Sequence, residues 1–353
     1  MDTSLLGNPV HAWQVMHPPV QVHDQGWLDV GDGHLVYWEQ CGHPGAPAAL
    51  FVHGGPGAGC SADDRRWFGP QRWRTVLFDQ RGCGRSRAEH ALHANTTAHL
   101  VADMEVLRLH LGIAQWLLFG GSWGATLALA YAQAHPQRVR GLVLRGVFLG
   151  TKAEHGWLYG ARGAALRHPA AWQRLSAAAG VAPGQRLLDA MHERLQADDA
   201  AATTAARAWW QWEHDLMDAE TTAPAQPCTL PSTLASTPSP AWPDAAALRA
   251  SARVGVHYAR AGWFLDENQL LAHAARLQAL PGVIVQGARD LVTPLASAHL
   301  LHQQWPRATL HEVPAAGHAS THPAIARHLI AATEALAQTA HPTTPEETSH
   351  AGI

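Results

Sequence analysis

WLLFGGSWGATLALAY, residues 116–131, decides how this chain is read. An apolar run stops at Gly120-Gly121, Ser122 and Trp123 follow, and after Gly124 an alanine- and leucine-rich run begins. The first half has the continuous apolar character of a buried strand, the second the composition of a helix. Gly120-Gly121-Ser122-Trp123-Gly124 thus satisfies G-x-S-x-G at a strand-to-helix turn, the setting of a nucleophile elbow. Glycines are needed on either side because so tight a turn leaves no room for a Cβ. The turn lifts Ser122 Oγ clear of the sheet, and the start of the next helix favours negative charge beside it. A serine in a plain glycine turn is the alternative; the strand–helix context counts against it.

Working outward, apolar runs that end in glycine recur: ALFVHGG (49–55), TVLFDQRG (75–82), GLVLRG (141–146) and GVIVQG (282–287). Continuous apolar strands suit a parallel sheet covered on both faces. Helical patterns lie between them, in HLVADMEVLRLHLG (99–112) and ATLALAYAQAHP (125–136), the second stopping at His135-Pro136. Such alternation predicts an α/β fold with a mostly parallel, doubly wound sheet. GWLDVGDGHLVYWEQCG (26–42) reads as an antiparallel edge hairpin. Strand signals vanish between 150 and 270, where AWQRLSAAAG (171–180), QRLLDAMHERLQ (185–196) and TAARAWWQWEHDLMD (204–218) are helical. The expected organisation is an N-terminal extension (1–25), a first core part (26–149), an inserted helical cap (150–270), a second core part (271–337) and a disordered tail (338–353). Within the cap, the Pro/Thr-rich stretch 221–243 should be a loop.

Composition narrows the function. The 353 residues are 47 % hydrophobic with a net charge of −3, so a real core is expected and no basic stripe invites nucleic acid. No apolar run approaches the roughly 18 residues of a membrane span, and the N-terminus lacks a signal peptide's basic start. Four scattered cysteines without C-x-x-C spacing predict reduced thiols and a cytoplasmic protein. The 25 histidines show no H-x-x-x-H pairing with an acid, so neither a metal nor another cofactor is expected. The oligomeric state stays open.

A serine nucleophile needs a base and an orienting acid, here expected in the chain order Ser, Asp, His. Asp290 stands just past the strand GVIVQG, and His318 lies in the loop after the strand within ATLHEVPAAGHAS (308–320). Both fall at strand exits, downstream of an independently found elbow. HGGPGAG (53–59) is similar to loops that give one backbone N–H to an oxyanion hole, the second coming from Trp123. Gly55 is the first choice of donor and Gly54 the second. A phosphate loop is excluded, since no G-K-[ST] follows. In DQRGCGRS (79–86), Asp79 and Arg81 are read as tying loops together.

HGGPGAGCS, LFDQRGCGRS, FGGSWGATLALAYAQAHP, GVIVQGARDLVTP and VPAAGH together resemble the proline iminopeptidase family, the prolyl aminopeptidase branch of the α/β-hydrolase fold, from about Gly26 to about Ile330. The resemblance implies release of N-terminal proline from peptides by a metal-free acyl-enzyme route, with Ser122 attacking and His318, held by Asp290, moving the proton. Proline's amine is a cation at neutral pH, so burying it calls for carboxylates. The family's W-x-x-W-E element reads Trp209-Trp210-Gln211-Trp212-Glu213 here, which assigns Glu213 to the amine; read alone, Glu213 is a helix-surface carboxylate. A second family glutamate falls on Gly255, a departure that removes one charge. Glu154, Asp215 and Asp218 are candidate replacements, and Gly255→Glu is expected to help free-amine substrates if the backbone accepts a Cβ. Arg145 matches a site-supporting arginine, and Phe148, with Trp157 or Tyr159, would wall the slot for the pyrrolidine ring or simply be cap core. Two rivals remain: an esterase or amidase without amine recognition, consistent with Gly255, and a non-catalytic binding protein of the same fold.

Overall fold

A computed structural model describes residues 14–221 and 244–338. Residues 1–13 of the expected extension, 222–243 of the expected loop, Cys228 among them, and 339–353 of the expected tail lie outside the described residues. The edge hairpin is β1 (Val22–Asp29) and β2 (His34–Gly42). It starts at Val22 rather than 26, because the polar residues Asp24 and Gln25 still pair with β2. Next come β3 (Ala48–Val52), β4 (Arg74–Phe78), the two-residue β5 (Arg87–Ala88), β6 (Trp116–Ser122) and β7 (Val139–Val147). After the helical insertion follow β8 (Gly282–Gly287) and β9 (Ala308–Val313).

The sheet order is β1-β2-β4-β3-β6-β7-β8-β9, with β5 on β2. Pairing is antiparallel where β2 meets β1, β4 and β5, and parallel from β4 through β9. Both faces are covered, so alternate residues of one strand enter different cores. Leu50 and Val52 of β3 pack into one cluster, and Ala49 and Phe51 into the other. That double burial explains why these strands read as unbroken apolar runs.

Helices α1 (Thr97–His110) and α2 (Trp123–Ala134) join the first core part, and α3 (Lys152–Tyr159) opens the insertion. It continues through α4 (Ala164–Arg167), α5 (Pro169–Ala179), α6 (Leu187–Arg194), α7 (Ala200–Thr221) and α8 (Ala245–Arg260). Then α9 (Gln269–Ala272), α10 (Leu295–Gln304) and α11 (Pro323–Gln338) complete the α-helices among the described residues. Among its described residues the expected insertion carries helices joined by loops and no strand. No helix among the described residues is long and apolar enough to cross a membrane. Because β3, β6, β7, β8 and β9 run parallel, their C-terminal ends open on one edge, where an α/β sheet binds its ligands. The glycine-rich loop, Ser122, Asp290 and His318 all leave the sheet at that edge.

Candidate active site

Ser122 is the last residue of β6 and the N-cap of α2, with φ 58° and ψ −127°. That region costs a non-glycine residue about 1–3 kcal/mol and persists only when the surroundings impose it. Here they do. A Cβ on Gly120 would lie 2.3 Å from Gly124 O, and one on Gly124 only 2.1 Å from Val52 O. The elbow's glycines are therefore what lets β6, α2 and β3 approach so closely.

Asp290 is buried in the loop after β8 and fully engaged. Its Oδ1 accepts from Val292 N at 2.9 Å and Thr293 N at 2.7 Å. Its Oδ2 accepts from Thr293 Oγ1 at 2.7 Å, Gln286 Nε2 at 3.0 Å and His318 Nδ1 at 2.8 Å. Burial alone would raise this carboxyl, but His318 and Thr293 outweigh it and hold the group below its usual range. His318 Nε2 lies 2.9 Å from Arg145 Nη1, which also donates to His318 O at 2.9 Å. A guanidinium only donates, so Nε2 accepts and the ring proton sits on Nδ1, facing Asp290. Burial pushes His318 down and the Arg145 charge adds to this, against the pull of Asp290. The neutral tautomer with an unprotonated Nε2 is the one a general base needs. Gly146, at φ +56°, makes room for it: a Cβ there would sit 2.8 Å from His318 Cε1.

The glycine-rich loop passes beside the elbow, and a Cβ on Gly54 would lie 3.7 Å from Ser122 Cβ. Gly55, at φ +115°, has no room for a side chain, since its Cβ would meet Gly57 N at 2.6 Å. Trp123, buried, begins α2 directly after Ser122. Asp79 accepts from Cys60 N at 2.7 Å and Arg85 N at 2.8 Å, while Arg81 holds both oxygens of Asp103 at 2.7 Å. Both are loop ties, as expected.

In the cap, Tyr159 stacks on Trp209 with ring centroids 5.0 Å apart, and Phe148 meets Trp263 edge-on at 4.6 Å. Trp263 also faces Tyr159 at 6.4 Å, closing an aromatic group. Glu213 stands half-buried beside Tyr159, whose hydroxyl it pushes further up, after burial. Desolvation raises Glu213 itself to about 7. The Trp157 indole, by contrast, donates to Leu291 O at 2.7 Å and braces the Asp290 loop. Trp263 escaped sequence reading: its partner Phe148 is remote in the chain, and no local pattern marks it.

Gly255 lies in α8, and a Cβ there would sit 2.7 Å from Trp209 Nε1 and 3.3 Å from Pro56 O. The indole occupies the space a Cβ at 255 needs, so Gly255→Glu would have to displace Trp209 before it could add a charge. Two candidate replacements are occupied as well. Glu154 accepts from Leu149 N, Thr151 N and Ser297 Oγ, and Asp215 pairs with Arg174 at 2.7 Å. The Asp218 side chain lies outside the described residues. Among the described residues, no group of three or more His, Cys, Asp or Glu could hold a metal ion.

The α/β hydrolase fold family matches residues 47–322. Solved structures agree on the fold: a proline iminopeptidase-related protein of Thermus thermophilus superposes with TM-score 0.55 at 23 % identity, covering 91 % of this chain and 100 % of that one. An esterase of Exiguobacterium antarcticum gives 0.56 at 19 %, covering 89 % and 99 %. Fold and elbow thus define the class, an α/β hydrolase. Proline iminopeptidase of Xylella fastidiosa strain Temecula1 is 44 % identical over 329 residues, 92 % of this chain and 99 % of that one. That of Arabidopsis thaliana is 42 % identical over 92 % of this chain and 82 % of that one. That of Neisseria gonorrhoeae is 41 % identical over 90 % and 98 %. The chain belongs to the proline iminopeptidase family.

Proposed function

We propose that this protein is a serine aminopeptidase that releases N-terminal proline from peptides through an acyl-enzyme. One observation carries the reading: a strained serine elbow and an Asp290-held His318 stand at the sheet edge of a chain whose cap carries a carboxylate among aromatic rings. Ser122 Oγ attacks the scissile carbonyl as His318 Nε2 takes its proton, for which Nε2 must pass from Arg145 to Ser122. The oxyanion is held by the N–H groups of Gly55 and Trp123, with Gly54 the alternative donor. His318 then gives the proton to the departing peptide amine, and water repeats the sequence on the prolyl ester.

The helices from Lys152 to Arg260 act as the substrate-selecting cap. The cationic ring nitrogen of proline pairs with Glu213, relieving the desolvation that holds this carboxyl high. Phe148 and Tyr159, joined by Trp209 and Trp263, contact the pyrrolidine ring, and the aromatic faces add cation–π attraction. Arg145 supports the base, and Trp157 acts on the substrate only through the Asp290 loop.

A second reading, an esterase or amidase with relaxed amine recognition, is favoured by the missing carboxylate at Gly255. Chromophore release from proline amide, alanine amide and N-acetylproline amide separates them. Strong preference for free proline is expected; equal or better cleavage of the blocked compound would move the assignment to the esterase or amidase.

A further inference from the structure

Gln80 follows β4 and lies buried behind the glycine-rich loop. Both ends of its side-chain amide are used: Nε2 donates to His53 O at 2.9 Å, and Oε1 accepts from the Trp123 indole Nε1 at 2.8 Å. Its backbone N–H donates to His53 Nε2 at 3.0 Å. Backbone N–H groups only donate, and that of Gln80 lies nearer Nε2, at 3.0 Å, than that of Gly59 does to Nδ1, at 3.3 Å; the ring proton of neutral His53 is therefore assigned to Nδ1, 2.9 Å from Gly54 O. Burial pushes His53 below the usual histidine range, in keeping with a neutral ring.

These bonds orient peptide planes. The His53–Gly54 and Gly54–Gly55 peptides are trans, so each points its C=O and N–H in opposite directions. Holding Gly54 O against the His53 ring turns the Gly55 N–H away from it. Holding His53 O against Gln80 turns the Gly54 N–H away from Gln80. On the other side, the residue that offers the second donor, Trp123, is moored to the same amide by its indole. None of these bonds touches Ser122, His318 or Asp290.

We infer that Gln80 is a positioning residue that keeps the two halves of the oxyanion hole, the 53–55 loop and Trp123, in register from behind. The inference rests on the serine-hydrolase reading above. Glutamine fits the place because the task needs a donor and an acceptor on one planar group. Glutamate would keep the acceptor for the indole and set an oxygen against His53 O; methionine would fill the space and make neither bond.

The test compares wild type with Gln80→Met, Gln80→Glu and Trp123→Phe, the last keeping the backbone donor while losing the indole bond and part of the packing against Tyr258. Rates on proline amide are normalised to serines titrated with a fluorophosphonate, and affinities are measured for a proline boronic acid, which becomes tetrahedral on serine, and for product proline. For Gln80→Met, kcat per titrated site should fall about 10–100-fold with KM within about threefold. Boronate affinity should fall by the same factor, and proline affinity should hold. Trp123→Phe should move the same quantities less, and it carries the test if the Gln80 variants do not fold. Unchanged kcat per titrated site, or boronate and proline affinities falling together, would overturn the inference alone. A wild type that the fluorophosphonate does not label would overturn the serine reading, and this inference with it.

Discussion

Asp290, buried beside His318, and Glu213, half-buried in the cap, are carboxylates whose surroundings treat them oppositely. Asp290 receives hydrogen bonds from two backbone N–H groups, a hydroxyl, an amide and an imidazole, and is held ionised. Among the described residues Glu213 has no such donor, and desolvation drives it up to about 7. In the proposed mechanism the Asp290–His318 pair stands ready before substrate arrives, and what remains is the passage of His318 Nε2 from Arg145 to Ser122. In the proposed function the cap carboxylate gains its partner only when a cation comes beside it, and so it reads charge.

Isosteric exchange of the two acids sharpens that contrast. Asp290→Asn presents an N–H towards His318 Nδ1 and reverses the tautomer, so kcat of the folded variant should fall about 10⁴-fold. A folded variant within tenfold of wild type would remove Asp290 from its role. Glu213→Gln should lower kcat/KM for proline amide by about 10–100-fold, the worth of a hydrogen bond to a charged group, and leave N-acetylproline amide untouched. Its pH profile carries the same information. The amine needs the ionised form, so wild-type kcat/KM should fall as pH drops through about 7, and in Glu213→Gln that contribution should vanish.

The Gly255→Glu exchange probes whether the cap is as firm as the surroundings of Asp290. With Trp209 Nε1 2.7 Å from the new Cβ, the variant should lose about 1–3 kcal/mol of stability by thermal or urea unfolding and gain no activity. A rise in kcat/KM at undiminished stability would mean that Trp209 yields. The smallest effect is expected at Arg145→Gln. Burial and the arginine charge both hold His318 down, so loss of that charge should move the acidic limb of kcat/KM for N-acetylproline amide to higher pH. An unmoved limb would deny that Arg145 tunes the base.

Legibility differed between the two regions for a physical reason. The elbow was readable because a strand, a strained serine and a helix are consecutive, and the required glycines sit beside them in the chain. Asp290 and His318 were readable because parallel strands end on one edge, so residues at strand exits meet. In the cap, periodicity marked helices such as α5 and α7, but a helix pattern does not say which indole fills which gap. Gly255 departs from the family pattern in the sequence, but its consequence depends on Trp209, a neighbour through space.

The sequence by itself determined the class of chemistry and the sheet that supports it, since both follow from local backbone demands and apolar runs. Only tertiary structure decided that Arg145 holds the outer nitrogen of His318, that Trp209 fills the room beside Gly255, and that Gln80 joins His53 to Trp123. Those contacts cross tens to hundreds of residues, and each depends on the shape of the gap between packed elements. No window of the sequence contains that shape.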